Sequence, residues 1–327
     1  MSKTDSSIAG FFGWINERHA IWHRRNVEKL PRPWSQDEIF LDYKFTNTFR
    51  ELDRGTIALH EMIDSLCHAM EVQDFEHTKE KRTQLAKELV FNVMWYRLFN
   101  CDFHAKELGY CLRPEQVIDY MQAKAKRGEK IFTSAHLCTV RPGKAKVDSY
   151  TEAVMDAWDD AHIVVEACRT LRTMKGVYDT LKQFYLIGGF VAYEITCDLR
   201  FTPLLQDPVD RLRWANIGPG ADRGMCRLGL SSTINTMVCL HRLAIGDWSK
   251  YTDSVDENAF EGMNTNDIDI INDANFQGTR VGPHVLNAPV PFELREIEHS
   301  LCEFDKYERV RLGQGRPRQK FNGRTDG

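Results

Sequence analysis

Apolar positions recur along this chain at the spacing of α-helices, three and four residues apart, and that periodicity is its dominant signal. The stretch PRPWSQDEIFLDYKFTNTFRELDRGTIALHEMIDSL opens with Pro31 and Pro33, then Ser35-x-x-Glu38, a capping-box pattern that predicts one long helix with Leu41, Phe45, Leu52 and Leu59 as its buried stripe. EKRTQLAKELVFNVMWYRLFN predicts a second, strongly amphipathic helix. RPEQVIDYMQAKAKRG predicts a third, with Pro114 in its first turn and Gly128 near its end. Two further helices are expected over SYTEAVMDAWDDAHIVVEACRTL and GVYDTLKQFYLIGGFVAYEITCDLRF, and a last one over FELREIEHSLCEFDKYERVRLG, whose core stripe is Leu294, Ile297, Leu301 and Phe304. KIFTSAHLCTVRPGKAK departs from this pattern. Its β-branched and aromatic content before Arg141-Pro142-Gly143-Lys144 predicts a short β hairpin or an ordered loop. Residues 250–290, rich in Asn, Asp and Gly, are expected to be the least regular part. The fold class is therefore mainly α: one helical unit over 1–308, in one or two lobes, then a basic flexible tail over 309–327.

Composition narrows the functional classes. With 42% hydrophobic residues the chain can bury a sizeable core, and no stretch approaches the roughly 20 apolar residues that span a bilayer. The N-terminus lacks the apolar core of a signal peptide, so a cytoplasmic protein with no membrane partner is expected. Nine cysteines without a C-x-x-C pair fit buried thiols better than disulfides or a zinc site. His19 and His23 have the spacing of a metal pair but lack a third ligand, so no metal site is assigned. No G-x-x-x-x-G-K-[ST] and no G-x-S-x-G motif occurs. A net charge of −4 leaves polyanion binding to local patches, such as the tail with Arg309, Arg311, Arg316, Arg318, Lys320 and Arg324.

Several residue sets carry candidate chemistry. Glu194 and Asp198 stand four apart on an apolar helix; one of them has a raised pKa or a cationic partner, as in a general base or an ammonium site, or both pair with arginines of neighbouring helices. Gly218-Pro219-Gly220 with Gly224 resembles a hairpin whose backbone N–H groups meet a DNA phosphate, with Arg223 beside it, or is plain turn chemistry. Projected at about 100° per residue, Tyr43, Asn47, Arg50 and Arg54 share one face of the first long helix, flanked by Lys44, which makes either a diphosphate grip or a solvated face. Glu298, Cys302, Asp305 and Arg309 line one edge of the last helix.

Together, YKFTNTFRELDRGT, IGGFVAYEITCDL, IGPGADRG and EHSLCEFDKYERVRLGQGRPR resemble the hallmarks of the α-glutamyl/putrescinyl thymine pyrophosphorylase family, related to phage amino acid:DNA transferases and to the helical domain of 5-hydroxymethyluracil DNA kinases. The resemblance spans about residues 35 to 320. It implies a helical architecture similar to helix–hairpin–helix DNA glycosylases, and a transferase that displaces pyrophosphate from a modified thymine in double-stranded DNA with the amine of an amino acid or polyamine. On that reading Lys44, Arg50, Arg54 and Lys306 receive the diphosphate, and Asp198, Asp305 and Glu298 act on the amine. Tyr43, Asn47 and Tyr193 contact the base, while Gly218, Gly220, Arg223, Arg316 and Arg318 follow the DNA backbone. Magnesium on the leaving diphosphate is chemically reasonable, although no acidic cluster demands it. The glycosylase pattern is incomplete: SSTINTMVCLHRL, where a catalytic Asp is expected, has no acid. The alternatives are a non-catalytic DNA-binding module that partners a 5-hydroxymethyluracil DNA kinase, and a DNA glycosylase.

Overall fold

The computed structural model describes residues 3–71, 78–132, 140, 143–245, 292–317 and 320–321. The expected hairpin falls largely outside them, and residues 250–290 and Arg318 fall outside them entirely. Among the described residues the chain is mainly α-helical and has no β-strand, only an isolated bridge between Tyr43 and Lys320. It divides into two compact units, one taking the described residues of Met1–Asp53, Arg211–Arg280 and Ala288–Gly327, the other those of Arg54–Asp210 and Val281–Asn287.

The second unit is built around α4 (Lys79–Phe99), which packs against α3 (Arg54–Glu71), α7 (Lys146–Leu171) and α9 (Gly189–Leu199). Its half from Leu89 to Phe99 is buried on every face, so the expected amphipathic helix is instead the unit's central rod. Thr78 caps its start, accepting a hydrogen bond from the Lys81 N–H at 3.3 Å. Asn92 answers the polar groups left inside, accepting from Trp95 Nε1 at 2.9 Å and from the Cys111 N–H at 2.7 Å. The short α5 (Asp102–Leu108), α6 (Pro114–Lys126) and α8 (Met174–Leu181) complete the layer. α6 has the expected proline in its first turn, and Gly128 follows it at φ +67°, a left-handed conformation that favours glycine. The single helix expected over residues 176–201 is two, α8 and α9, because Leu186 takes φ +59° and Gly188 caps a new start.

In the first unit, α12 (Leu294–Arg311) is the core helix. Leu294, Ile297, Leu301 and Phe304 are all buried, as the periodicity predicts. α1 (Lys3–Asn26), α2 (Glu38–Asp42), α10 (Pro219–Arg227) and α11 (Ile234–Ile245) surround it. The helix reaches Arg311, so Arg309 and Arg311, included both in the predicted last helix and in the tail over 309–327, are helical. Beneath α12, Arg295 pairs with Glu51 and with Glu296 at 2.7 Å, all fully buried. Burial, then the charges of Glu51 and Glu293, push the Glu296 carboxyl well above its ordinary value despite Arg295.

The long helix predicted from Ser35 does not form. Asp37, not Ser35, caps α2, accepting from the Ile39 N–H at 2.8 Å, whereas the Ser35 hydroxyl donates to Glu17 at 2.6 Å. After Tyr43 the chain leaves the helix, makes a 3-10 turn at Arg50–Leu52 and begins α3 at Arg54. Side chains hold this break. Asn47 donates to the Leu52 carbonyl at 2.8 Å and to Asp53 at 2.9 Å; Arg18 of α1 donates to the Thr46 and Phe45 carbonyls and to Asn47 Oδ1; Glu303 of α12 accepts the Thr46 N–H at 3.1 Å. Asn and Asp compete with helical hydrogen bonding in this way, so a periodic apolar pattern still yields an irregular loop.

Candidate functional site

In the second unit, the two acids on the apolar helix share one cation. Arg97 of α4 donates through Nε to Asp198 Oδ2 at 2.5 Å and through Nη2 to Asp198 Oδ1 at 2.7 Å. Its Nη1 lies 3.2 Å from Glu194 Oε2, and Asn100 and Thr56 accept its remaining donors. Asp198 is 2% exposed. A carboxylate clamped bidentately and shut from solvent is a poor proton acceptor, and Asp198 shares Arg97 with Glu194 in an internal ion group, the pairing with an arginine of a neighbouring helix that was the alternative to a catalytic role. Tyr193, expected to stack on a base, is buried with its ring edge-on to Tyr178 at 6.4 Å. Arg54 pairs with Asp102 at 3.1 Å on this unit.

In the first unit the helix break separates the residues expected on one stripe. Tyr43 is buried and ends α2, and Asn47 is spent inside its loop. Arg50 is held by Asp53 at 2.6 Å. Lys44 is half-buried in the same loop. Lys306 pairs with Glu303 at 2.7 Å over the Phe45 ring. Arg316 lines a small hollow with Glu38, Asp42 and Tyr43.

Two of the glycines of IGPGADRG are required by helix packing. Gly220 and Gly224 let α10 lie directly on α12: a β-carbon at 220 would overlap the Cys302 thiol, and one at 224 the Leu301 carbonyl. Gly218 caps α10, and Glu298 Oε1 lies 3.6 Å from where its β-carbon would be. A buried carboxylate thus already faces the positive end of that helix, which disfavours a phosphate there and gives Glu298 a structural partner. Burial, then the neighbouring acids Glu303 and Glu298, push the Cys302 thiol up to about 12, so it is no nucleophile.

One turn further on, the same helix pair builds a cationic cluster. Asp305 is 0% exposed and is approached by Arg227 Nε at 2.6 Å, Arg223 Nε at 2.9 Å and Arg309 Nε at 3.3 Å. Burial alone would raise its carboxyl, but the hydrogen bonds from Arg227 and Arg223 and the charges of Arg309 and Arg223 together hold it below the ordinary value. Both Asp305 oxygens are engaged by guanidinium groups, an arrangement that suits positioning those groups better than accepting a proton. Three cations around one anion leave a net charge of about +2, and Arg223 and Arg309 keep 51% and 36% of their side-chain surface open to solvent. Arg227 was not among the residues expected to contact a phosphate, and Arg309 was expected to do so only as part of the basic tail. The signal was present, since Gly220, Arg223, Gly224 and Arg227 stand at i, i+3, i+4 and i+7, one helix face.

Arg227 also lines a cleft of about 480 Å³ between α1, α2 and α12. Trp14, Phe40, Phe304 and Tyr307 form its aromatic walls; Phe40 and Tyr307 lie 5.3 Å apart. Trp14 is buried there with no acceptor for its indole N–H among the described residues. Tyr307 donates to Asp37 at 2.5 Å, and Glu17, Glu308 and Arg311 complete the polar lining. Gly10 and Gly13 of α1 border the opening, where a β-carbon would meet nothing within 4 Å. Among the described residues no group of three or more His, Cys, Asp or Glu side chains is placed to hold a metal ion, and no helix is long and apolar enough to cross a membrane.

Comparison with known proteins agrees with the family suggested by the motifs. A family model described as the helical domain of the 5-hmdU DNA kinase matches residues 5–316. A 5-hmdU DNA kinase of Bacillus phage SP10 is 29% identical over 235 residues, which cover 66% of this chain and 35% of that protein. The chain thus spans about a third of the length of this curated relative. No solved structure matches it. With nearly its whole length inside the family's bounds, this chain belongs to the 5-hmdU DNA kinase helical domain family.

Proposed function

We propose that this chain is a DNA-modifying transferase that displaces pyrophosphate from 5-(pyrophosphoryloxymethyl)uracil in double-stranded DNA with the amine of an amino acid or polyamine. The observation that supports this reading is the cluster of Arg223, Arg227 and Arg309 around buried Asp305, next to an aromatic cleft that shares Arg227. The amine nitrogen forms a bond to the 5-methylene carbon as the carbon–oxygen bond breaks, and the diphosphate departs with the electron pair. Charge then develops on the leaving oxygens, where preorganised guanidinium groups stabilise it most. The ammonium must lose a proton before its nitrogen can attack, and of the cleft carboxylates Glu17 and Glu308 are held by Arg24 and Arg311, which leaves Asp37 as the acceptor without an arginine partner. Aromatic walls suit a base turned out of the duplex, with the free Trp14 N–H available to a carbonyl. Magnesium would enter as the counter-ion of the diphosphate.

Incubating DNA that carries the pyrophosphorylated base with the protein and a panel of amines, followed by mass spectrometry of the nucleosides, tests the reading. An amine-substituted nucleoside with matching pyrophosphate release supports it; no product with any amine defeats it. The match to a kinase's helical domain favours a second reading, a non-catalytic DNA-binding module working beside a 5-hydroxymethyluracil DNA kinase. That reading gives DNA binding without product.

A further inference from the structure

We infer that the first unit carries a contact surface for the phosphate backbone of duplex DNA, formed by the end of α1, the turn at Pro31–Trp34 and Lys320–Phe321. Between residues 19 and 34 four Lys or Arg stand against one acid, Glu28, in a chain whose net charge is −4. That acid is occupied by His23 at 2.7 Å. The cations gather about an aromatic pair. The Trp34 and Phe321 rings lie 6.2 Å apart; the Arg32 guanidinium lies 4.7 Å from the Phe321 centroid and 5.5 Å from that of Trp34, and Arg25 lies 5.3 Å from Trp34. Trp34 is itself fixed, donating to the Leu30 carbonyl at 2.8 Å while its own carbonyl accepts from Arg24 at 2.5 Å.

Stacking on rings pins a guanidinium without consuming its in-plane N–H donors. Among the described residues Arg32, Lys29 and Lys320 have no carboxylate partner, and all three are exposed. Held, exposed and unspent donors are what a phosphate needs. None of these residues lines either cleft described above, so the cations are spread over open surface instead of converging on a small-molecule cavity. Spread positive charge fits a polyanion laid across the surface, and the indole is already approached by Arg25 and Arg32, which favours backbone contact over base stacking. The inference rests on the reading that the chain acts on DNA.

Fluorescence anisotropy of a labelled, unmodified duplex, titrated with the full chain between about 50 and 200 mM salt, tests it. Arg32→Gln with Lys320→Gln is expected to weaken binding and to flatten the slope of log affinity against log salt by about 0.9 per lost contact. Lys29→Gln is a second, independent arm. Lys175→Gln, on exposed α8 and equal in charge change to Lys29→Gln, is expected to leave the slope unchanged. If the wild type binds and both arms keep its slope, the surface is refuted while the DNA reading stands; if Lys175→Gln flattens the slope equally, only general charge is at work and the surface is refuted too. A wild-type chain that does not bind DNA overturns the surface and the DNA reading together.

Discussion

Replacing Asp305 by Asn tests whether this carboxylate positions the arginine cluster. The substitution keeps the shape, removes the charge and leaves one accepting oxygen where two served three guanidinium groups. Arg227 makes the shortest contact, 2.6 Å, with 18% of its side chain exposed, so its charge-assisted bond is worth about 1.5–3 kcal/mol. Arg223, at 2.9 Å and half exposed, and Arg309, at 3.3 Å, interact as surface pairs of about 0.2–1 kcal/mol each. Because the freed guanidinium groups reach solvent and Asn retains one neutral hydrogen bond, the loss should be about 2–3 kcal/mol, below the roughly 3–5 kcal/mol of a sealed ion pair. Urea denaturation at pH 7 measures it, and the same substitution in an Arg227→Met background should cost about 1 kcal/mol or less. The depressed carboxyl fixes the sign with pH. Its contribution is present above the ordinary value of 3.8 and disappears as pH falls through the folded pKa, so the gap between wild type and variant should be constant from about pH 5 to 8 and close in stronger acid. A loss under about 0.5 kcal/mol at pH 7 would refute the positioning role. In turnover assays a positioning carboxylate predicts weakened diphosphate inhibition with an unchanged pH profile, whereas loss of a basic pH limb would restore the general-base assignment.

Four further outcomes follow from the same geometry. Gly220→Ala should destabilise by about 2 kcal/mol through its overlap with the Cys302 thiol, and Cys302→Ala should recover part of that loss; full destabilisation in the double variant would contradict the packing role. Gly13→Leu should leave stability unchanged or raise it by up to about 1 kcal/mol, since helix propensity rises where nothing is touched, yet lower transfer activity by filling the cleft; equal activity would detach the cleft from the reaction. Glu296 has a raised carboxyl, so its contribution is complete below its ordinary value of 4.5 and is lost as pH rises through its folded pKa: Glu296→Gln should gain on the wild type as pH climbs, and parallel stability curves would sink the argument. Arg97→Met leaves Asp198 and Glu194 as buried carboxylates without their cation and should cost about 3–5 kcal/mol by denaturant titration, whereas adding Asp198→Leu and Glu194→Gln should return most of it.

Much of this protein was legible in its residues. The i, i+3, i+4 recurrence of Leu294, Ile297, Leu301 and Phe304 defined α12 and its buried stripe, and Pro114 with Gly128 marked the limits of α6, because these signals are local and the helix is a local structure. The motifs were enough to suggest the family. Other elements were decided by contacts between distant segments. KFTNTFRELDR carries a helical pattern yet forms a loop, because Arg18, Asn47, Asp53 and Glu303 offer its backbone better partners than a helix would. The question posed by Glu194 and Asp198 was visible, but its answer, Arg97, lies about a hundred residues away in sequence. The glycines of IGPGADRG have the same spacing whether they meet a phosphate or a helix, and only the tertiary structure sets Cys302 against Gly220 and Leu301 against Gly224. Asp305 likewise showed its i+4 partner Arg309 in sequence, whereas Arg223 and Arg227 became its partners only when α10 settled on α12. Sequence determined the helices, their apolar faces and the family; tertiary structure decided which charged groups were spent on the fold and which were left to meet a ligand, because pairing depends on distances that spacing along the chain does not fix.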